Sequence, residues 1–258
     1  MDKKSTQFDI QAFLASLQHN HKINIAFACE SGSRAWGFPS PDSDYDIRFI
    51  FFHPSEAYIS IFDPKDTITL MDGLLDGSGW DVKKALQLSA KSNVSVFEWL
   101  QSPIIYLDKD NFGAALWEAI LPCFQPKKAI HHYLGIASST LHRNFNTDEV
   151  VLKKYFYVLR PLFTARFIAQ NNIPAPTLFS EVLHFYPGEE DIAAIIDELL
   201  QIKGEAEEGH TVKRNPVLDQ FIEKEMDQLL TIAKSMPKKA IDHQSIDLFY
   251  RQQLNINI

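Results

Sequence analysis

The chain has 258 residues and carries a formal net charge of −8, from 25 basic and 33 acidic side chains. This acidic balance disfavours a broad surface for nonspecific binding of DNA or RNA, because neutralising phosphates requires clustered lysine and arginine. The composition is 45% hydrophobic, as in ordinary globular proteins, and no apolar run approaches the roughly 20 residues of a membrane-spanning helix.

The two cysteines, Cys29 and Cys123, both lie in apolar stretches of sequence. We expect buried free thiols, since neither a disulfide framework nor a Cys-x-x-Cys metal site is indicated. The first residues, Met1 to Ser5, are polar and contain no signal-peptide core. These features predict a cytoplasmic protein without a membrane partner.

Helices and strands alternate in the N-terminal part of the chain. Apolar residues with a helical period predict helices, and short apolar runs predict strands. The predicted helices cover residues 8–19, 82–90 and 94–100, and the predicted strands cover residues 23–29, 47–52 and part of 67–75.

From about Phe112 onward the apolar spacing is helical throughout. Asn215-Pro216 is typical of a helix start, with an N-cap followed by a proline in the first turn. Residues 204–216 predict a loop, and a linker near residues 108–111 predicts a boundary. We therefore expect an α/β unit over residues 1–108 and a helical domain over residues 109–258.

The clearest chemical pattern begins at Gly32-Ser33. Glycine allows a tight turn with the backbone close to a ligand. Ser33 is a suitable N-cap for a short helix over residues 34–36, and the free N–H groups at a helix start favour anions. A phosphate site is therefore one interpretation, and an ordinary turn is the other.

Asp44 and Asp46 follow this turn and precede the predicted strand over residues 47–52. Side chains two positions apart on a strand share a face, so both carboxylates are expected to converge. Such a pair is costly unless a cation neutralises it or one carboxyl takes up a proton, and hard oxygen ligands suit Mg²⁺. The alternative is that the aspartates only solvate a loop.

Competing acidic motifs fail at specific positions. An EF-hand loop that began at Asp42 would need glycine and glutamate where the chain has Ile47 and His53. A haloacid dehalogenase-type phosphatase would place its aspartates after a strand rather than before one. The chain also lacks the G-x-x-x-x-G-K-[ST] pattern of a P-loop.

The order Gly-Ser, spacer, Asp-x-Asp resembles the DNA polymerase beta-type nucleotidyltransferase superfamily, which adds a third carboxylate on a later strand. A narrower resemblance is to predicted bacterial nucleotidyltransferases associated with RNA repair. It rests on residues 76–86, 91–93 and 98–103 and, more loosely, on residues 154–161. The resemblance implies an α+β fold, in which a polymerase beta-like core with a small mixed sheet precedes a mostly helical domain.

The third carboxylate has two candidates in this sequence. Asp76 matches the family position better and follows apolar residues that could form a strand. Asp81 lies where a helix is predicted to begin, and its alternative role is a charge favoured by the helix dipole. Gly77 and Gly79 are expected to weaken a strand beyond Asp76.

The resemblance implies transfer of a nucleoside monophosphate from a nucleoside triphosphate, such as ATP, to an acceptor hydroxyl, with release of pyrophosphate. Two Mg²⁺ ions, for which Mn²⁺ can substitute, would clamp the reacting oxygens. The implied metal-binding residues are Asp44, Asp46 and Asp76, and the implied nucleotide-binding residues are Gly32, Ser33, Arg34 and Lys84. For Arg34 the alternative is a pair with a loop aspartate, and for Lys84 it is an exposed position on a helix.

The acceptor stays open among RNA, a protein side chain and a small molecule. Two other functions compete: a nucleotide-binding or regulatory module without transfer, and a metal-dependent phosphohydrolase. In the helical half, Tyr155 and Tyr157 offer stacking surfaces, and Arg160 and Arg166 offer phosphate or acceptor contacts. Aromatic residues at helical spacing more often belong to a core, which is the competing interpretation.

Overall fold

The computed structural model describes residues 9–185, 190–237, 239, 241 and 243–254. The first helix, α1 (Ile10–His21), begins after Asp9, whose carboxylate caps it by accepting a hydrogen bond from Ala12 N at 2.9 Å. Phe8, where this helix is predicted to start, lies outside the described residues.

Five strands form a mixed sheet in the order β3-β4-β2-β1-β5. Strands β2 and β4 run parallel, and the other neighbouring pairs run antiparallel. The bounds are β1 (Asn24–Glu30), β2 (Tyr45–Phe52), β3 (Thr67–Asp72), β4 (Leu75–Asp81) and β5 (Ile105–Asp108). This sheet and the helices that follow it confirm the predicted α+β fold.

Strand β4 continues through Gly77 and Gly79, contrary to the expected weakening. A Cβ on Gly77 would lie 2.7 Å from Phe13 Cζ, and a Cβ on Gly79 would lie 2.1 Å from Phe49 Cε2. The two aromatic rings therefore occupy the space that side chains would need. The glycines mark close packing of α1 and β2 against β4, which is one of the reasons for glycine inside a strand.

Short helices connect the strands of the sheet. They are α2 (Gly32–Ala35), α3 (Ser55–Tyr58), α4 (Val82–Ala90) and α5 (Val94–Leu100). Asp81 and Asn93 precede α4 and α5, and their side chains accept hydrogen bonds from Lys83 N at 2.8 Å and Ser95 N at 2.9 Å. Both helices therefore begin at N-caps that satisfy an otherwise free amide.

The rest of the described chain is mostly helical. The helices are α6 (Phe112–Ile120), α7 (Pro126–Asn144), α8 (Leu152–Asn171), α9 (Phe179–His184), α10 (Glu190–Glu205), α11 (Pro216–Ser235) and α12 (Gln244–Gln253). Asn215 caps α11 as predicted, because its Oδ1 accepts hydrogen bonds from Val217 N at 3.0 Å and Leu218 N at 3.3 Å. Part of the loop predicted over residues 204–216 is instead strand β7 (Thr211–Lys213), which pairs with β6 (Glu149–Val151).

The sheet has a hydrophobic cluster on each face. Alternate residues of β2, Ile47, Phe49 and Phe51, join the cluster under α1, whereas Ile50 joins the cluster under the helical half. The second cluster extends from Ala26 to Phe249, so it includes residues from both predicted domains. The boundary at residue 108 stays a prediction.

The cysteine thiols fit the expectation of burial outside a disulfide. Cys29 and Cys123 are both buried and neither is in a disulfide. In the part of the chain that the structure describes, no helix is long and apolar enough to cross a membrane.

Candidate active site

Asp46 and Asp76 are direct neighbours on the parallel strands β2 and β4. Neighbouring strands are about 4.8 Å apart, so side chains in register that share a face reach the same region. Arg48 joins the two carboxylates: its Nη2 lies 2.9 Å from Asp46 Oδ1 and 3.0 Å from Asp76 Oδ2. Its Nη1 also donates a hydrogen bond to the Asp76 carbonyl at 2.8 Å.

Arg48 is absent from the residues that the sequence predicts for the site. It stands two positions after Asp46, so it shares a strand face with that carboxylate. The pattern Asp-x-Asp-x-Arg was therefore available as a signal. In this structure the cation that neutralises the acidic pair comes from the protein itself.

The electrostatic setting of Asp46 reflects its half-buried position and its acidic neighbours. Burial raises the pKa of the Asp46 carboxyl, the charge of Arg48 opposes that rise, and the charges of Asp76 and Asp44 add to it. Asp44 is exposed and immediately precedes β2. The other two predicted carboxylates, Asp44 and Asp76, are thus close enough to influence the protonation of Asp46.

Gly32 lies directly against this acidic group. Its φ is +61°, and a Cβ at this position would lie 1.9 Å from Asp46 Oδ2. The residue before Gly32 also contacts Asp46, because Ser31 N donates a hydrogen bond to the Asp46 carbonyl at 2.8 Å. A residue with a side chain would therefore be both strained and in collision with the carboxylate.

Ser33 is not an N-cap, contrary to the prediction. The helix begins two residues earlier than predicted, at Gly32, and Ser31 precedes it without a side-chain cap. The Ser33 hydroxyl instead donates a hydrogen bond to Ser43 Oγ at 3.2 Å. The turn at Gly32 accounts for this shift, because its left-handed conformation already redirects the chain into the helix.

Arg34 shapes the loop that carries the aspartates. Its Nε donates to the Asp44 carbonyl at 3.0 Å, its Nη2 donates to the Ser43 carbonyl at 2.8 Å, and its guanidinium lies 4.0 Å from the centre of the Tyr45 ring. These contacts go to backbone carbonyls and a ring rather than to a loop carboxylate. Arg34 therefore holds the backbone of the loop that leads to Asp44 and Asp46.

Lys84 and Asp81 lie in a different part of the fold. Lys84 Nζ donates to Asp66 Oδ1 at 3.0 Å and Thr67 Oγ1 at 2.6 Å. Asp81 caps α4, accepts a hydrogen bond from the Tyr58 hydroxyl, and lines a cavity with Lys84 that does not include Gly32 or Asp46. The structure thus brings Asp76, and not Asp81, to Asp46, and it does not bring the predicted nucleotide contact Lys84 there.

Besides Arg48, a buried carboxylate that the sequence does not predict contacts the backbone of Asp46. Glu30 is fully buried at the end of β1, its Oε1 accepts a hydrogen bond from Asp46 N at 2.7 Å, and its Oε2 accepts one from the Tyr106 hydroxyl. Burial raises the pKa of the Glu30 carboxyl above its ordinary range. A glutamate that ends an apolar strand was the available signal.

The helical half holds the loop between Gly32-Ser33 and the aspartates. Glu208, after α10, accepts a hydrogen bond from Ser43 Oγ at 3.0 Å, and its backbone N donates to Asp42 Oδ1 at 3.0 Å. Lys153 on α8 forms an ion pair with the Glu208 carboxylate. Lys203 on α10 is buried and donates to Ser40 Oγ at 2.8 Å, and burial lowers its pKa.

A cavity of about 400 Å³ opens beside the acidic pair and continues between α5, α7 and α8. The lining residues are Ser31, Gly32, Trp36, Asp46, Arg48, Val94, Ser95, Glu98, His132, Tyr133, Ile136, Phe156, Tyr157, Arg160 and Pro161. Among these, the Arg160 guanidinium lies 4.3 Å from the centre of the Trp36 ring. The Tyr133 hydroxyl donates to Glu98 Oε1 at 2.6 Å.

The sequence suggests four contact residues in the helical half. Tyr157 and Arg160 line this cavity, whereas Tyr155 and Arg166 do not. Tyr155 is fully buried, and its hydroxyl accepts a hydrogen bond from Asn215 N and donates one to Asp219. Arg166 forms an ion pair with Glu225. The stacking role for Tyr155 is therefore wrong, because its ring belongs to the core.

The donor chemistry of the site suits a hard divalent cation. Asp44, Asp46 and Asp76 supply carboxylate oxygens, the ligands that Mg²⁺ prefers. Within the described ranges, no three His, Cys, Asp or Glu side chains are grouped as a ready-made metal site. The carboxylates of Asp46 and Asp76 are thus of the type that binds Mg²⁺, and the Arg48 guanidinium lies between them in this structure.

The chain is similar to known proteins over most of its length. Residues 7–252 match the family described as RlaP: RNA repair pathway DNA polymerase beta family. The chain is also 36% identical over 233 residues to a Bacillus subtilis (strain 168) protein named Uncharacterized protein YcgL, and the alignment covers 90% of each chain. The family match confirms the resemblance predicted from the Gly-Ser and Asp-x-Asp pattern.

Proposed function

Because the chain belongs to the RlaP family, the RNA repair pathway DNA polymerase beta family, we propose that it transfers a nucleoside monophosphate from a nucleoside triphosphate to an acceptor hydroxyl. The observation that carries this proposal is the pairing of Asp46 with Asp76 across parallel strands, directly beside the backbone of Gly32. This places two carboxylates next to a turn whose amides can bind phosphate.

The triphosphate would lie against the turn at Gly32 and Ser33. Because residue 32 is glycine, the phosphates can approach the backbone closely there. The Ser33 hydroxyl can exchange its hydrogen-bond partner for a phosphate oxygen, since it donates to another serine hydroxyl. Reactions of this kind depend mainly on positioning and charge neutralisation, so few further protein groups are needed.

Asp44, Asp46 and Asp76 would hold Mg²⁺, which when bound supplies neutralisation of the phosphate charge. Asp76 is the more exposed member of the pair, with 36% of its side chain accessible against 28% for Asp46. As the family resemblance implies, Asp76 would also accept the proton of the acceptor hydroxyl. Arg48 lines the cavity, as Asp46 does, and would exchange its carboxylate partners for a phosphate of the bound substrate.

The description of the family points to RNA as the acceptor class. A net charge of −8 means that RNA contacts would come from a local group of basic residues rather than from the whole surface. An RNA end is therefore the first acceptor to test, ahead of a protein side chain or a small molecule.

A transfer assay tests the proposal. The protein is incubated with each α-labelled triphosphate, Mg²⁺ or Mn²⁺, and RNA oligonucleotides with free hydroxyl ends. Asp46→Asn and Asp76→Asn should each reduce labelled product by about a hundredfold or more, as for loss of groups essential to charge stabilisation. Asp72→Asn is the matched control, because Asp72 is an exposed aspartate on the adjacent strand β3. Equal product from all the variants would overturn the proposal.

The product also separates transfer from hydrolysis. A nucleotidyltransferase releases pyrophosphate and labels the acceptor, whereas a phosphohydrolase releases phosphate or free nucleoside monophosphate without any acceptor. Label in the free monophosphate alone would favour the phosphohydrolase.

The second candidate function is nucleotide binding without transfer. One observation favours it: Arg48 neutralises Asp46 and Asp76 in place of a metal. Saturable binding of triphosphate without turnover on any acceptor, unchanged by Mg²⁺, would support this function over the first.

A further inference from the structure

The cavity beside the acidic pair contains buried hydrogen-bond donors that lack partners. Among the described residues, Arg160 Nε, Arg160 Nη2 and Trp36 Nε1 have no hydrogen-bond acceptor. Arg160 is only 4% exposed, so water does not freely replace the missing partners. Buried polar groups in native proteins are nearly always satisfied, so each exception calls for an explanation.

The geometry of Arg160 defines what is missing. One face of its guanidinium is covered by Trp36 at 4.3 Å, and Nη2 lies 3.1 Å from Glu98 Oε1 in an ion pair that lacks hydrogen-bond alignment. Nε and Nη2 form one edge of the planar guanidinium, and that edge suits two acceptors side by side. A ligand with two adjacent acceptor atoms would satisfy both nitrogens.

The neighbouring groups disfavour an anion as that ligand. Glu98 carries a carboxylate next to Arg160, and its charge would oppose a phosphate or carboxylate at the same edge. The cavity walls near Arg160 include Trp36, Phe156 and Tyr157, which suit a flat aromatic ligand. A neutral, planar ring with acceptors on one edge and a donor nearby fits these groups better.

Resting on the proposed function, we infer that this cavity binds the base of the nucleotide and selects guanine. Guanine presents O6 and N7 as adjacent acceptors for the Arg160 edge, whereas adenine places its N6 amino donor beside N7. The neighbouring N1–H of guanine would face the Glu98 carboxylate. Gly32 and Asp46 line the same cavity as Arg160. A nucleotide whose base lies at Arg160 would therefore have its phosphates at the Gly32 turn.

Equilibrium binding of GTP, inosine triphosphate and ATP to the full chain, with Mg²⁺, tests the inference. GTP should bind about tenfold or more tightly than ATP, the range of one good bidentate pair. Inosine triphosphate keeps O6 and N7 but lacks the 2-amino group, so it should bind nearly as tightly as GTP. If it binds as weakly as ATP, Arg160 does not read the base and the inference is wrong.

Two substitutions test whether the preference for GTP depends on the donors of Arg160 and Trp36 that lack partners. Arg160→Lys keeps the charge but removes the two-nitrogen edge, and it should abolish the preference for GTP over ATP. If Arg160→Lys does not fold, Trp36→Phe is the second variant. It keeps a ring next to the guanidinium but removes Nε1, and it should reduce the preference for GTP over ATP. Trp117→Phe is the matched control, since Trp117 packs against Phe97 and does not line the cavity.

The outcomes separate this inference from the proposed function. Equal binding of GTP and ATP by the unaltered protein, with Mg²⁺-dependent transfer intact, overturns guanine selection alone. A preference for GTP that survives both substitutions places base recognition elsewhere and also overturns it. Failure to bind any triphosphate would instead remove the proposed function on which the inference rests.

Discussion

The backbone of Gly32 fills the space directly beside the carboxylate of Asp46, with room for no side chain between them. A methyl group at residue 32 would lie 1.9 Å from Asp46 Oδ2. We predict that Gly32→Ala displaces Asp46, destabilises the protein by about 1–3 kcal/mol through strain at a positive φ, and eliminates triphosphate binding. Thermal unfolding and nucleotide titration measure the two effects.

Gly73→Ala provides the matched comparison for that variant. Gly73 also has a positive φ, of +60°, but a Cβ there would meet no atom within 4 Å. It should therefore show the backbone strain, of about 1 kcal/mol, without loss of nucleotide binding. Equal effects of the two substitutions on nucleotide binding would contradict a specific role for the contact with Asp46.

Removing Arg48 should make the stability of the protein depend on divalent cations. Arg48→Met leaves Asp46 and Asp76 without their shared cation, so the two carboxylates repel each other. Because these groups are partly exposed, we expect a loss of only about 1–2 kcal/mol in chelator, largely restored by Mg²⁺.

The measurement is the unfolding midpoint of Arg48→Met and of the unaltered protein in chelator and in Mg²⁺. The unaltered protein should respond less to Mg²⁺, because Arg48 competes for the same carboxylates. An identical response of both proteins to the cation would show that the acidic pair does not bind it.

Local patterns predict much of this fold because they act over a few residues. Asn215 caps α11 through contacts within three positions, and Asp81 starts α4 in the same way. The register that sets Asp46 beside Asp76 joins strands 30 positions apart along the chain. That pairing depends on packing such as that of Phe49 over Gly79, which local spacing does not encode.

Contacts between distant segments account for the site residues that sequence reasoning missed. Glu208 reaches Ser43 across 165 positions, and nothing in either stretch indicates the other. The resemblance implies a nucleotide contact for Lys84, but the five residues of β4 beyond Asp76 separate helix α4 from the acidic pair. Residue types and their spacing thus indicate the motif, whereas the tertiary structure alone shows its surroundings.

Glu208 should control how firmly the nucleotide turn is held. Glu208→Gln weakens its ion pair with Lys153 and its contact with Ser43, so the loop next to Ser33 loses part of its support. We expect a stability loss of up to about 1 kcal/mol and weaker triphosphate binding with an unchanged rate of transfer at saturation. Glu207→Gln changes the adjacent exposed carboxylate and serves as control. A fall in the saturated rate would instead assign Glu208 to the chemical step.

Glu30 should make the protein less stable as the pH rises. Burial raises the pKa of this carboxyl in the folded state, so the folded protein binds more protons than the unfolded chain at pH values between the ordinary and the raised pKa. Stability from this group is therefore complete below the ordinary pKa and is lost as the pH increases through the raised pKa.

Glu30→Gln, which keeps an oxygen acceptor for Asp46 N, should gain stability relative to the unaltered protein at pH 7 but not at pH 4. Chemical unfolding at both pH values measures this difference, with Glu118→Gln as an exposed control. A difference that is the same at both pH values would mean that Glu30 has the same pKa in the folded and the unfolded protein, and the prediction would be wrong.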